Sequence, residues 1–196
     1  MNKAETTRHL ILRKAFEMIY VRGYQSTSID DIISTTQVTK GAFYYHFRTK
    51  DEMGIAIINE ILKPALAGSF ADPLQKISDP AEAIYTLIEN LLMNDKFMRA
   101  EFGCPVSNLT QEMAFRNRNF KQALEDLTQQ WTEVMTTSIE NGKKEGFLRK
   151  EINAKQVTLM ILSGYWGIRN FGKLEKSNTV YLPYLKELKY YLNSLK

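Results

Sequence analysis

Apolar residues recur every three or four positions along nearly the whole of this 196-residue chain, and nowhere do they alternate as a half-buried strand requires. Leu12, Ala15, Phe16 and Ile19 set the pattern, with Arg13, Lys14 and Glu17 between them. Ile84, Leu87, Ile88, Leu91 and Leu92 repeat it in the middle, and Leu185, Leu188, Leu192 and Leu195 repeat it at the end. Each such segment can bury one stripe only against other helices, so the expected fold is all-α, with about nine helices. At 44% hydrophobic and 24% charged residues, the chain has enough apolar surface to offset the entropy of ordering it.

The breaks between helices are marked by local chemistry. Gly23 stops the first helix. Ser28 with Asp31 forms a capping-box start for a short second helix, and Thr39 caps a short third helix reaching to about Phe47. Thr49 with Glu52 opens a long fourth helix through Ile55, Ile58 and Leu62. Pro64 is expected to kink or end it, with Ala67-Gly68-Ser69 and Pro73 as a loose connection. Asp79-Pro80-Ala81-Glu82 starts the next helix, with an N-cap followed by proline at the first helical position. A shorter helix begins at Pro105, and a long one runs from about Arg118 to Asn141, ending at Gly142. A loop over Lys143–Asn153 then precedes two final helices, near 154–173 and 179–195. The functional division falls at 1–50 and 51–196, with a connecting helix over about 50–66.

The charge is unevenly placed. Residues 1–50 hold eight Lys or Arg against four Asp or Glu, so the entire net charge of +4 lies in the first quarter. Such a segment on an otherwise neutral chain suggests a polyanionic partner. Other classes fall away: Cys104 is the single cysteine, and His9 and His46 are the only histidines. Neither a disulfide scaffold nor an ordinary zinc cluster is expected, and no cofactor is implied. A histidine-dependent hydrolase site in the larger part is excluded, because no histidine lies beyond position 46. The apolar runs fall short of the ~18 residues that a membrane-spanning helix needs. The polar start, Met1 to Arg8, is unlike a secretory signal, so a cytoplasmic location without membrane association is expected.

The second and third helices, joined by a turn of about three residues, make a helix-turn-helix, whose second helix enters the DNA major groove. The third reads Thr39-Lys40-Gly41-Ala42-Phe43-Tyr44-Tyr45-His46-Phe47, with Phe43 and Phe47 on one face as anchors and Lys40, Tyr44 and Tyr45 pointing elsewhere.

Residues 8–55 closely resemble the TetR/AcrR family of bacterial transcription regulators, through Gly23-Tyr24, Thr27-Ser28-Ile29, Ile32, Val38-Thr39-Lys40-Gly41, Phe43-Tyr44, His46-Phe47 and Lys50. Gln37 stands where the family usually has glycine. The resemblance implies a ligand-responsive regulator, most often a repressor, acting as a homodimer on a pseudo-palindromic double-stranded DNA operator. It also implies roles for individual residues. Thr27, Ser28 and Thr39, at helix starts, suit phosphate oxygens, and Lys50 is the expected phosphate clamp. Lys40 is the candidate for a guanine edge, while Gly41 and Ala42 permit close approach and a thymine-methyl contact. Tyr44 is expected on a phosphate or base, and Tyr45 and His46 on the backbone.

In the larger part, Met93, Phe97, Cys104, Trp131, Met135, Tyr165 and Trp166 are candidates for lining an apolar pocket for a small-molecule effector. Val157, Ile161, Gly164 and Ile168, with Leu185, Leu188 and Leu192, are the expected dimerisation surface, with an intrachain core as the other reading. Gly103-Cys104-Pro105 looks like a helix start whose dipole favours thiolate, and a Gly-Cys pair there resembles family members that respond to electrophiles. Lys173 is a candidate charge partner, and simple packing of Cys104 is the other reading. A thiol-dependent enzyme or an apolar-ligand carrier are the alternatives from other classes.

Overall fold

The computed structural model describes residues 3–95 and 97–196; Met1 and Asn2, which begin the polar N-terminus, lie outside the described residues. As the periodicity predicts, those residues are helical and contain no strand. The helices are α1 (Lys3–Arg22), α2 (Ile29–Ser34), α3 (Lys40–His46), α4 (Lys50–Lys76), α5 (Pro80–Glu89, followed by a π-helical turn Asn90–Asn94), α6 (Pro105–Met113), α7 (Arg118–Glu145), α8 (Ala154–Glu175) and α9 (Tyr181–Asn193).

Two helices run further than their sequences suggest. Pro64 neither ends nor separates α4, which continues through Ala67-Gly68-Ser69 and Pro73 to Lys76. A π-helical turn over Ile58–Leu62 lies one residue before the proline. Widening the ladder there accommodates a residue that has no N–H to donate. Likewise α7 passes Gly142 and stops at Glu145, before Gly146, whose φ of +82° only glycine adopts without strain. Phe147 N–H and Leu148 N–H then donate to Gly142 O at 2.9 and 3.2 Å. Gly142 is needed for proximity instead: a Cβ there would lie 2.2 Å from Pro80 Cγ.

The chain forms two compact units, Met1–Ala65 with Pro105–Asp126, and Leu66–Cys104 with Leu127–Lys196. These bounds differ from the division expected at residue 50, because α6 and the start of α7 pack with the N-terminal helices.

In the first unit, Ile11, Leu12, Ala15, Phe16 and Ile19 of α1 are buried with Ile32, Phe43, Phe47, Met53 and Ile57. Tyr24 meets Phe120 edge to face, with ring centroids 5.0 Å apart, and Gly54 leaves room for that ring. Tyr24 Oη donates to Asp51 at 2.6 Å, and Asn117 Nδ2 donates to the other oxygen of Asp51 at 2.7 Å. Gln25 N–H donates to Glu112 at 3.0 Å. The segment 105–126 is therefore fastened to the loop that precedes α2 and to the first turn of α4.

In the second unit, α9 lies along α5 and α8, burying Ile84, Leu87 and Ile88 with Leu185, Leu188 and Leu192. Phe70 stacks on Trp131, centroids 4.7 Å apart and planes 6° from parallel. Arg169, 1% exposed, extends from α8 and donates to three backbone carbonyls: Gly103 at 2.6 Å, Arg99 at 3.4 Å and Leu91 at 3.5 Å. One buried cation so ties together the stretch between α5 and α6, where Arg99 O also accepts from Phe102 N–H at 3.2 Å.

Candidate nucleic-acid interface

Local capping builds the helix-turn-helix as its sequence predicts. Ser28 and Asp31 form a reciprocal capping box: Asp31 N–H donates to Ser28 Oγ at 3.0 Å, and Ser28 N–H donates to Asp31 Oδ2 at 2.8 Å. Thr39 Oγ1 accepts from Ala42 N–H at 3.2 Å and starts α3. At α4, Thr49 Oγ1 accepts from Glu52 N–H at 3.0 Å, while the Glu52 carboxylate reaches back to Arg48 N–H at 2.9 Å. Gln37 fits without strain, since Lys176 is the only non-glycine with positive φ among the described residues.

The two faces of α3 separate as expected. Phe43 and Phe47 are fully buried, and the Arg8 guanidinium lies 4.5 Å over the Phe47 ring while pairing with Glu60 at 2.7 Å. Lys40, Gly41, Tyr44 and Tyr45 are exposed; Ala42 and His46 are half-buried, and the Tyr45 and His46 rings meet edge to face at 5.0 Å. A Cβ at Gly41 would meet nothing within 4 Å, so no neighbour in the chain requires a glycine there. Ser28 and Thr39 are exposed at their helix starts.

Two expected phosphate contacts have inward partners. Thr27 is fully buried, and its hydroxyl donates to Gly23 O at 2.8 Å. Lys50 is half-buried: its ammonium donates to Tyr24 O at 2.6 Å and sits 4.2 Å from the Tyr24 ring centroid. Burial pushes its pKa down, against the pull of Asp51, Glu112 and Asp31. A lysine just inside a helix start reads the same in sequence whether it faces solvent or the preceding loop. Arg48, exposed in the α3–α4 loop, is the cation the sequence reading missed, although its place between His46-Phe47 and Lys50 pointed to it. Asp30 was missed too; it accepts a hydrogen bond from Lys40 Nζ at 2.8 Å.

The expected effector residues are buried or half-buried. Cys104 is 2% exposed, beside the buried Tyr165, whose hydroxyl donates to Met98 Sδ at 3.5 Å. Burial first, and Cys104 after it, raise the Tyr165 pKa well above the ordinary phenol value. Pro105 does occupy the first position of α6, as predicted. Trp131 and Met135 are buried in packing, while Met93, Phe97 and Trp166 are half-buried. A cavity of about 550 Å³ has different walls, among them Leu74, Pro80, Glu133, Thr137, Asn141 and Glu145.

Most of the expected dimerisation stripe packs within the chain. Val157, Ile161, Leu185, Leu188 and Leu192 are buried, and Gly164 and Ile168 are half-buried. Gly164 faces Tyr184, whose hydroxyl would lie 2.8 Å from a Cβ there. Both helices have an inner and an outer apolar stripe, and the more regular leucine stripe is the inner one. Leu159, Met160, Phe171 and Leu174 of α8, with Leu182 and Tyr190 of α9, are the exposed ones.

The family model described as "Bacterial regulatory proteins, tetR family" matches residues 11–57, and "Tetracyclin repressor-like, C-terminal domain" matches residues 80–185. An HTH-type transcriptional regulator from the lacX 3' region of Lactococcus lactis subsp. lactis is 31% identical over 121 residues, covering 62% of this chain and 62% of the relative, just under two thirds of its length. The HTH-type transcriptional repressor DhaR of Mycobacterium sp. (strain GP1) is 21% identical over 184 residues, covering 90% of this chain and 87% of the repressor. In three dimensions, a TetR transcriptional regulator from Chloroflexus aurantiacus superposes with a TM-score of 0.84 at 23% identity, covering 99% of this chain and 96% of the other. With both its N-terminal and C-terminal parts matched, the chain belongs to the TetR family of bacterial regulatory proteins.

Proposed function

We propose that this protein is a ligand-responsive DNA-binding transcriptional regulator, a repressor released from a pseudo-palindromic operator by a small molecule. The observation that carries this reading is the two-faced α3: fully buried Phe43 and Phe47 fix the helix, while Lys40, Gly41, Tyr44 and Tyr45 project outward beside two capped helix starts. Side chains in that position suit a major groove, and the exposed starts at Ser28 and Thr39 suit phosphates. The similarity to a named repressor supports repression as the sign of the response.

A homodimer supplies two reading helices, and the exposed apolar residues on α8 and α9 support the contact. Met160, Phe171 and Leu174 lie along one face of α8 with Ser163 and Gly167 between them, small enough for another backbone to approach. The protein acts in the cytoplasm, where its DNA lies, and needs no metal, cofactor or catalytic step. Selection from a randomised 30-bp duplex library with the purified protein tests the reading. A two-fold symmetric motif supports it; failure to bind duplex DNA at low salt contradicts it. A reversible effector fits the buried Cys104 better than a thiol-reactive one. Unequal induction by wild type and Cys104→Ser on exposure to quinones would reverse that preference.

A further inference from the structure

Asp30 is the second residue of α2, and Lys40 is the first of α3. Their side chains pair at 2.8 Å across the helix-turn-helix, 73% and 59% exposed respectively. The fold does not require this acid. The capping box of α2 is made by Ser28 with Asp31, and the only contact described for Asp30 is Lys40. A pair so exposed adds little to folding. For a protein that binds a polyanion it has a cost: Asp30 neutralises a cation and is itself repelled by phosphates.

We propose that Asp30 is a specificity determinant, acting with Lys40 as a joined acceptor and donor for one G·C edge in each operator half-site. This rests on the DNA-binding reading above. The first residues of a recognition helix are those that contact base edges, which places Lys40 at the bases and Asp30 beside it. In the major groove a G·C pair presents guanine N7 and O6 as acceptors, followed by the N4 amino group of cytosine as a donor. With one ammonium hydrogen on Asp30 Oδ1, Lys40 has two left for guanine, and Asp30 Oδ2 accepts from cytosine N4. The Asp30 carboxylate beside it raises the pKa of the Lys40 ammonium. On random DNA the pair gains nothing from a base edge and retains its repulsion. Asp30 thus acts by disfavouring the wrong partner as much as by holding the right one.

The test compares full-length wild type, Asp30→Ala, Asp30→Asn and Lys40→Ala, each checked for an unchanged thermal transition. Each is used for selection from a randomised 30-bp duplex library and for titration of a random-sequence duplex at several salt concentrations. Wild type is expected to enrich a symmetric motif with one G·C per half-site that all three variants weaken by about tenfold. Both Asp30 variants should bind the random duplex more tightly. Their log K against log salt slope should steepen by about 1.8 for a dimer that gains two free lysines. Lys40→Ala should leave that slope unchanged. Asp30 variants that keep the wild-type preference at every position overturn the proposal, whatever the slope does. Failure of wild type to enrich any motif overturns the DNA-binding reading first, before the variants are compared.

Discussion

Gly41→Ala separates what the fold requires from what a partner requires. Gly41 lies within the first turn of α3 with ordinary helical backbone, and a Cβ there meets no atom within 4 Å. Replacing glycine in a helix with alanine removes chain entropy from the unfolded state and strains nothing. The folded protein should gain about 0.5–1 kcal/mol. For a chain of this size that raises Tm by about 1–4 °C. On DNA the sign reverses: the added methyl stands on the outward face between Lys40 and Tyr44, where a groove wall must come close. Overfilling a packed contact costs roughly 1–3 kcal/mol, a five- to 150-fold loss of operator affinity. Gly68, in α4, serves as the control, because a Cβ there also meets nothing within 4 Å. Gly68→Ala should stabilise in the same way without touching affinity. Chemical denaturation and fluorescence anisotropy on the selected duplex give both numbers. Gly41→Ala that binds as tightly as wild type, with the same motif, would remove Gly41 from the interface.

Further outcomes follow from contacts that sequence alone did not show. Lys50→Met should destabilise by about 1–3 kcal/mol, through the lost hydrogen bond to Tyr24 O, and leave the salt slope of DNA binding nearly unchanged; Arg48→Ala should leave Tm unchanged and reduce the slope by ~0.9 per protomer. Arg169→Leu, which strands the Gly103 carbonyl and removes the guanidinium from those of Arg99 and Leu91, should cost about 2–4 kcal/mol in urea denaturation; a change under ~0.5 kcal/mol would show that water replaces the guanidinium. Phe171→Glu with Leu174→Glu should shift sedimentation from dimer to monomer while the helical signal persists, and an unchanged dimer would move the interface elsewhere. Burial pushes Tyr184 up to about 12 and raises Tyr24 and Tyr165 above the ordinary value of 10.0. The unfolded chain therefore ionises first: stability is full below pH 10 and falls between 10 and 12, by up to about 1.4 kcal/mol per pH unit for each tyrosine. A urea midpoint that holds constant from pH 9 to 11.5 would contradict this.

The parts legible in the sequence are those decided by short-range chemistry. Ser28 with Asp31 and Thr39 with Ala42 cap as predicted, and i, i+4 spacing put Phe43 and Phe47 into the core. Helix continuity through Pro64 was not legible, because the π-helical turn that accommodates it is visible only as a backbone ladder. Nor was the direction of Lys50, decided by a Tyr24 carbonyl 26 residues away. The α8–α9 stripe failed for a related reason. Periodicity shows that a helix has an apolar face, but with two such faces, as Ile161 and Phe171 on α8 illustrate, it does not say which one the chain itself covers.

Whether α3 reads DNA as one of a symmetric pair is decided by a hydroxyl-radical footprint on the duplex that selection enriches. Wild type should protect two half-sites related by two-fold symmetry, with centres one helical turn or a multiple of ~34–36 Å apart. Replacing Lys40, Tyr44 and Tyr45 together with alanine should abolish both protections while leaving the thermal transition in place. A footprint that survives the triple replacement, or protection of a single unsymmetric patch, would contradict the assignment of α3 as the reading helix of a dimer.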